Sequence, residues 1–240
     1  MGIFRRKKEV QRPLCAAVVA AAGSSSRMGE DKIMLSLGED PVIVRTVRAL
    51  ERSELISEIV IVTRESLVPL IAELCKDYCF TKVTKVIRGG ASRLESVMLG
   101  VKEVSSDPKL IAIHDGARPF ASVSVIEAAI RQAEKSGAAA PALPVKDTVK
   151  EVRDGLVERT VDRAPLRAVQ TPQVFDADLI RAALQKALDD KAEITDDCSA
   201  VERLGMKVAL TEGAEENFKL TTQGDLLLAR GLVRWMEENG

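Results

Sequence analysis

The side chains best suited to chemistry fall in three short clusters. The first, Gly23 to Lys32 (GSSSRMGEDK), follows eight small apolar residues, Cys15 to Ala22. Gly23 can take a positive φ and lets successive backbone N–H groups converge on an anion, and Ser24 and its two serine neighbours add hydroxyl donors. Arg27 can grip phosphate bidentately, while Lys32 supplies a point charge. Such a loop suits a polyphosphate. It is not a Walker loop, because Glu30 rather than lysine follows Gly29, and Gly-x-Gly-x-x-Gly is absent. The second cluster is Gly89, Gly90 and Arg93, with Ser96 one turn further on; two glycines let the backbone approach a flat ring. The third is His114-Asp115-Gly116-Ala117-Arg118-Pro119. Asp115 facing a triphosphate is a natural Mg2+ ligand, since that hard ion takes one or two carboxylates together with phosphate oxygens. Arg118 could hold a second anion. Each cluster alone also fits an ordinary turn, so their relative placement decides the matter.

The elements needed to place them are legible as an alternation. Cys15 to Ala22 reads as a buried parallel strand, its small residues keeping helices close on both faces. Pro41–Ser53 has apolar residues at helical spacing, and Glu58–Thr63 is a β-branched strand. Leu67–Cys79, Ser92–Val104 and Val123–Lys135 read as helices, and Thr81–Ile87, Leu110–His114 and Ala138–Leu143 as strands. The repeat predicts an α/β fold with a parallel sheet and right-handed crossovers. In such a sheet ligands sit beyond the carboxyl ends of the strands, which is where all three clusters fall.

From Lys146 to Arg163 the rhythm breaks. Valine alternates with charge around Asp154-Gly155, a hairpin signal with little apolar surface of its own. It is expected to project as an arm, about residues 145–163, and to pack on a partner subunit. Beyond it come a helix over Ala177–Ala187, a helix capped by Thr195 and ending at Gly205, and strands at Lys207–Thr211 and Asn217–Thr221. A last helix is opened by Thr222 with Asp225 and runs through Met236.

Composition removes several function classes. With 35 Lys plus Arg against 36 Asp plus Glu, the chain lacks the long-range pull of a nucleic-acid binder, and one Trp, one Tyr and five Phe give no stacking platform. A single histidine excludes a multi-histidine metal site. Cys15, Cys75, Cys79 and Cys198 show no paired metal spacing and read as buried reduced thiols. Arg5, Arg6, Lys7 and Lys8 before an apolar run imitate a signal peptide, but cleavage there would destroy the first cluster; residues 1–13 read instead as a loose basic tail ahead of a single domain over 14–240. With no membrane span in the sequence, the expected location is the cytoplasm.

In their order, these residues resemble the 2-C-methyl-D-erythritol 4-phosphate cytidylyltransferases of the non-mevalonate isoprenoid pathway. The likeness is carried by AAG-x-x-x-R-M (Ala21 to Met28), GG-x-x-R-x-x-S-V (Gly89 to Val97), HDGARPF (His114 to Phe120), PVKDT (Pro144 to Thr148), TVDR (Thr160 to Arg163), Q-T-P-Q-x-F (Gln170 to Phe175), ITDD (Ile194 to Asp197) and N-x-K-x-T (Asn217 to Thr221). The resemblance implies a Rossmann-like nucleotidyltransferase fold, a mostly parallel twisted sheet flanked by helices with a projecting hairpin arm. It implies transfer of CMP from CTP to methylerythritol phosphate. Arg27 and Lys32 would stabilise the transition state at the α-phosphate, Asp115 would hold Mg2+ and help seat substrate, and Ala21, Ala22, Gly90 and Ser96 would line the cytosine pocket. Lys219 and Arg163 would position the sugar phosphate, Arg163 reaching across a homodimer through the arm, and Arg118, Thr171 and Thr195 would complete that second site. One departure stands out. Around the lysine this chain has Asp31-Lys32-Ile33 where many members have Pro-Lys-Gln, and SSRMGEDK also resembles the guanylyltransferases of molybdenum cofactor synthesis. Ribitol 5-phosphate cytidylyltransferases are closer relatives still, and a CTP-binding accessory subunit is the non-enzymatic alternative; the latter would be expected to lack Arg27, Lys32 or Lys219.

Overall fold

A computed structural model of the chain describes residues 14–23, 31–105 and 107–239. In chain order its first half holds β1 (Cys15–Ala21), β2 (Ser36–Leu37), β3 (Asp40–Pro41), α1 (Val42–Glu51), β4 (Ile56–Thr63), α2 (Val68–Asp77), β5 (Val83–Arg88), α3 (Arg93–Glu103) and β6 (Leu110–Asp115). The second half holds α4 (Val123–Ser136), β7 (Ala138–Pro144), β8 (Lys150–Arg153), β9 (Leu156–Thr160), β10 (Arg167–Val169), β11 (Gln173–Asp176), α5 (Ala177–Asp189), α6 (Asp197–Glu202), β12 (Ala209–Glu212) and α7 (Gln223–Asn239).

The main sheet runs β10-β7-β11-β6-β1-β4-β5, with β12 also paired to β7. β1 is central, parallel to β4 on one side and β6 on the other. β4 and β5 are parallel, as are β7 and β12. The antiparallel members are β11, wedged between β6 and β7, and β10 on β7. Neither strand was expected from the sequence: each is three or four residues long, too short to show a period.

Successive residues of the central strands feed opposite layers. Ala17, Val19 and Ala21 join Ala112 under α1, α2 and α4, whereas Val18 joins Ile111 and Ile113 under α3, α5 and α6. Burial of each such Val or Ile side chain contributes roughly 1.5–3 kcal/mol. The small residues have a measurable role: a Cβ on Gly100 of α3 would lie 2.4 Å from Val18 Cγ1 and 2.6 Å from Val62 Cγ2, so that helix rests directly on the sheet. A third apolar cluster joins Leu37, Val42, Ala117, Phe120 and Leu220 to Leu226, Ala229 and Val233 of α7.

Three expectations need correction. The cap of α6 is Asp196, not Thr195: the Asp196 carboxylate accepts from the Ser199 N–H, and Ser199 Oγ accepts from the Asp196 N–H in return. Asn217–Thr221 is not a strand, since its amides pair irregularly, Leu220 N–H to the Ala117 carbonyl and Thr221 N–H to the Asp225 carboxylate. Among the cysteines, Cys79 is exposed although Cys15, Cys75 and Cys198 are buried, and all four are free. The hairpin forms, with Asp154 (φ 51°) and Gly155 (φ 79°) both left-handed at its tip, the geometry of a two-residue turn that keeps strand twist. β8 and β9 are exposed along their whole length. No helix among the described residues is long and apolar enough to cross a membrane.

Candidate active site

Four chain segments converge beyond the carboxyl ends of β1, β5 and β6. Ala20 to Gly23 leave β1; Gly90 to Arg93 join β5 to α3; Asp115 and Ala117 end β6; and Lys219 arrives from the irregular segment after β12. With Lys32, Ile33 and Ser96 they line a cavity of about 300 Å3. The close approach of the segments depends on lost side chains. A Cβ on Gly89 would fall 2.6 Å from Ala22 Cβ and 2.7 Å from Ser96 Oγ, and one on Gly116 2.8 Å from Ala21 Cβ.

Each segment is held by named bonds. Ser92 caps α3 by accepting from the Glu95 N–H, Glu95 accepts from the Ala91 N–H, and Ser96 Oγ accepts from the Gly90 N–H at 3.1 Å while donating to the Ser92 carbonyl. The turn carrying Lys32 is tied down by the buried Ile33, by the Ile43 N–H donating to the Ile33 carbonyl, and by an Asp31–Arg64 ion pair. Lys219 is positioned through Asn217, fully buried two residues earlier, whose Nδ2 donates to the Thr171 carbonyl at 2.9 Å and to Gln170 Oε1 at 3.3 Å.

The polar centre is one carboxylate among three cations. Asp115 Oδ2 lies 2.9 Å from Lys219 Nζ and 3.4 Å from Arg118 Nε, and Oδ1 lies 3.7 Å from an Arg93 guanidinium nitrogen. Burial alone would raise the Asp115 pKa, but Lys219, Arg93 and Arg118 together pull it down to about 2. Arg93 is itself clamped bidentately, at 2.9 and 2.7 Å, by the fully buried carboxylate of Asp197. Burial would lower the Arg93 pKa; Asp197 holds it above the usual arginine range instead. Gln173 completes the clamp by accepting from the Asp197 and Cys198 amides. Behind Asp115, its own N–H donates to Thr171 Oγ1 at 3.0 Å, and the buried His114 ring is held down to a pKa of about 4 by burial, hence neutral at pH 7. With Lys32 added, cations outnumber carboxylates on the wall, as an anionic ligand requires.

Of the residues singled out from sequence, Ala21, Ala22, Gly23, Lys32, Gly90, Ser96, Asp115 and Lys219 meet in this one cavity. Arg27 and Ser24 lie outside the described residues. Arg118 flanks the cavity, its guanidinium donating to Asp115 and to the Asn217 carbonyl at 2.6 Å. Thr171 is buried with its hydroxyl turned to Asp115 and His114, and Thr195 is exposed on the approach to α6. Arg163 is not among the residues lining the cavity of its own chain and donates to the Lys146 carbonyl beside the arm. In the sequence Asp197 stands out only as a member of ITDD suited to the first turn of a helix, and Gln170, Gln173 and Asn217 only as members of Q-T-P-Q-x-F and N-x-K-x-T; a polar residue destined for burial looks there like any surface residue.

The chain as a whole is similar to known proteins. The family profile described as 2-C-methyl-D-erythritol 4-phosphate cytidylyltransferase matches residues 15–235. Curated relatives of that name include one from Bacillus cereus, 41% identical over 90% of this chain and 96% of its own length, and one from Desulforamulus reducens, 43% identical over 91% and 95%. Among solved structures, 4-diphosphocytidyl-2C-methyl-D-erythritol synthase from Anaerococcus prevotii superposes with a TM-score of 0.82 at 31% identity, covering 92% of this chain and 96% of that one. The 2-C-methyl-D-erythritol 4-phosphate cytidylyltransferase of Thermus thermophilus superposes at 0.78 and 32% identity, covering 91% and 98%.

Proposed function

This chain belongs to the 2-C-methyl-D-erythritol 4-phosphate cytidylyltransferase family, and from that premise we propose that it transfers CMP from CTP to 2-C-methyl-D-erythritol 4-phosphate at the cavity around Asp115, releasing pyrophosphate. The observation carrying the assignment of the site is the meeting of Asp115 and Lys219, 104 residues apart in sequence, at 2.9 Å beside the nucleotide cradle. The nucleophile is the phosphate monoester of the sugar, mostly dianionic near neutral pH, so no general base is needed. That suits a site whose one histidine is sealed from the cavity. The task left to the protein is to relieve repulsion between two anions and align them, which fixed cations do without reorganisation.

The flat apolar slot of Ala21, Ala22 and Gly90, with Ser96 beneath it, takes the cytosine, and the Gly23 loop takes the phosphates. Lys32 and Arg27 neutralise charge developing at the α-phosphate. Lys219 and Arg118 seat the sugar phosphate, and Thr171 and Thr195 complete that second site. The donor set at Asp115 fits Mg2+: Oδ2 is committed to Lys219 and Arg118, while Oδ1 keeps a lone pair because Arg93 stands 3.7 Å away. One carboxylate oxygen, with phosphate oxygens and water, is the usual protein share of a Mg2+ site. The ion would supply further neutralisation of the triphosphate. Arg163 of the partner subunit completes the sugar site in a homodimer joined through the arm, in a cytoplasmic enzyme.

Pyrophosphate release tests the reading. With CTP and Mg2+ the protein is expected to release it on addition of methylerythritol phosphate, and not with ribitol 5-phosphate or a molybdopterin acceptor. Faster release with GTP than with CTP, or with either alternative acceptor, would overturn it; binding of CTP without release under every condition would make the chain an accessory subunit.

A further inference from the structure

The proposed reaction gives His114, the chain's single histidine, nothing to do. Yet the ring is fully buried at the end of β6, directly before Asp115, and both nitrogens have partners. Nδ1 lies 3.0 Å from Thr171 Oγ1 and Nε2 lies 3.3 Å from the Arg118 carbonyl oxygen. A carbonyl only accepts, so Nε2 carries a proton. The buried Thr171 hydroxyl already accepts from the Asp115 N–H, and its own proton finds an acceptor in Nδ1, 3.0 Å away. Nδ1 is therefore an acceptor, and the Thr171 hydroxyl donates to it. With its proton so directed, Thr171 Oγ1 presents its lone pairs to the Asp115 N–H, 3.0 Å away.

We infer that His114, as the tautomer protonated at Nε2, is a positioning residue: through the Thr171 hydroxyl and the Arg118 carbonyl it fixes the peptide turn from Asp115 to Arg118, and with it the aim of the Asp115 carboxylate and the Arg118 guanidinium. The ring touches no substrate. Its two bonds brace the two ends of one short segment, whose middle is held separately: the Arg118 N–H donates to the Asp115 carbonyl at 3.1 Å, the Gly116 N–H to the Ala20 carbonyl, Thr46 Oγ1 to the Gly116 carbonyl and the Leu220 N–H to the Ala117 carbonyl. Without the ring, the Thr171 hydroxyl is free to rotate and the Arg118 carbonyl loses its donor. A displacement of about 1 Å at a reaction centre can cost on the order of 100-fold in rate. The inference rests on the reading of Asp115 as the reaction centre, but its first test does not.

In 15N-labelled protein the lone imidazole gives an unambiguous two-bond 1H–15N pattern. The expected pattern has Nε2 protonated and Nδ1 bare; the reverse tautomer or a doubly protonated ring would overturn the proposal. In His114→Phe, which keeps a ring of similar size, the Asp115 amide is expected to exchange with solvent at least about tenfold faster than in wild type, as a weakened hydrogen bond opens more often. Its kcat is expected to fall roughly 10- to 100-fold with KM for CTP held within about twofold, because the cytosine slot is built from residues the ring does not touch. His114→Gln, which can keep a donor near the Nε2 position, should recover part of the loss. Unchanged amide exchange and kcat in a folded His114→Phe protein would show a ring that only fills space. If wild-type protein shows no cytidylyl transfer, the proposed reaction fails, while the tautomer and the exchange rates still decide the role of the ring.

Discussion

A carboxylate placed in an anion site is the residue most at odds with its surroundings, and that tension makes a discriminating prediction. Asp115 is nearly buried and works against phosphate binding by its own charge, yet three cations are arranged to keep it ionised. If its task is to order those cations and offer one oxygen to a metal, Asp115→Asn should lose turnover roughly 10²- to 10³-fold, the scale of a single preorganised electrostatic contact. KM for CTP should change far less than kcat, because the lost charge repels the triphosphate while the lost oxygen would hold the metal that attracts it, and the two effects oppose each other. Steady-state kinetics with CTP varied at saturating sugar phosphate separates the two effects. A KM that rose in step with the fall in kcat/KM, at unchanged kcat, would instead make Asp115 a plain binding residue. At this scale the sequence was informative where a residue type is unusual for its place: an acid at a strand end, a lysine inside an apolar stretch, paired glycines. It was silent on the Arg93–Asp197 clamp and on Asn217. Those residues act through burial, and burial of a polar group depends on contacts that span 104 residues from Arg93 to Asp197.

The elements that carry the site were readable when they repeated a period and unreadable when they borrowed their bonds. α1, α4 and α5 and the parallel strands follow from spacing alone. NFKLT has the composition of a strand, but its amides and carbonyls are engaged by Ala117, Asp225 and Arg118, so no ladder forms and Lys219 is delivered on a segment shaped by tertiary contacts. β2 and β3 were missed for a related reason: two residues each, they exist because the loop after Lys32 is clamped to α1. Asp40 is the clamp. It accepts a bidentate pair from Arg48, one bond at 3.0 Å, with Arg45 3.9 Å away, and the Arg48 guanidinium lies over the Tyr78 ring at 5.3 Å. The hydrogen bond from Arg48 holds the Asp40 pKa below the usual carboxylate value. A carboxylate depressed on folding stabilises above its unfolded pKa of about 3.9 and ceases to as pH falls through that value and below. Asp40→Asn should therefore lower unfolding free energy by about 0.5–1 kcal/mol at pH 7, the range of a partly exposed pair, and by progressively less in urea titrations taken from pH 4 downward. A deficit that stayed constant from pH 7 to below 3 would mean that packing, not charge, is what the substitution removes.

At the scale of the whole molecule the arm is the feature that one chain cannot explain. A two-stranded hairpin is marginal by itself in water, and this one leaves Val152, Leu156 and Val157 at 56, 74 and 59% exposure. Arg163 at its base donates to the Lys146 carbonyl and is not among the residues that line the cavity of its own chain, where Lys32 sits. Both facts are met if two copies exchange arms about a two-fold axis, each lending Arg163 to the other's site. The arithmetic of mixed dimers then gives a sharp expectation. In a dimer of one Lys32→Ala chain and one Arg163→Ala chain, one site carries both lesions and the other carries neither. Mixing the two inactive proteins in equal amounts makes half of all dimers mixed, so activity should return to about one quarter of wild type after subunit exchange. If Arg163 served its own chain, every site in the mixed dimer would carry one lesion and nothing would return. Exchange is verified independently by tagging one variant and co-purifying the other, so that silence in the assay, with exchange demonstrated, counts against the shared site.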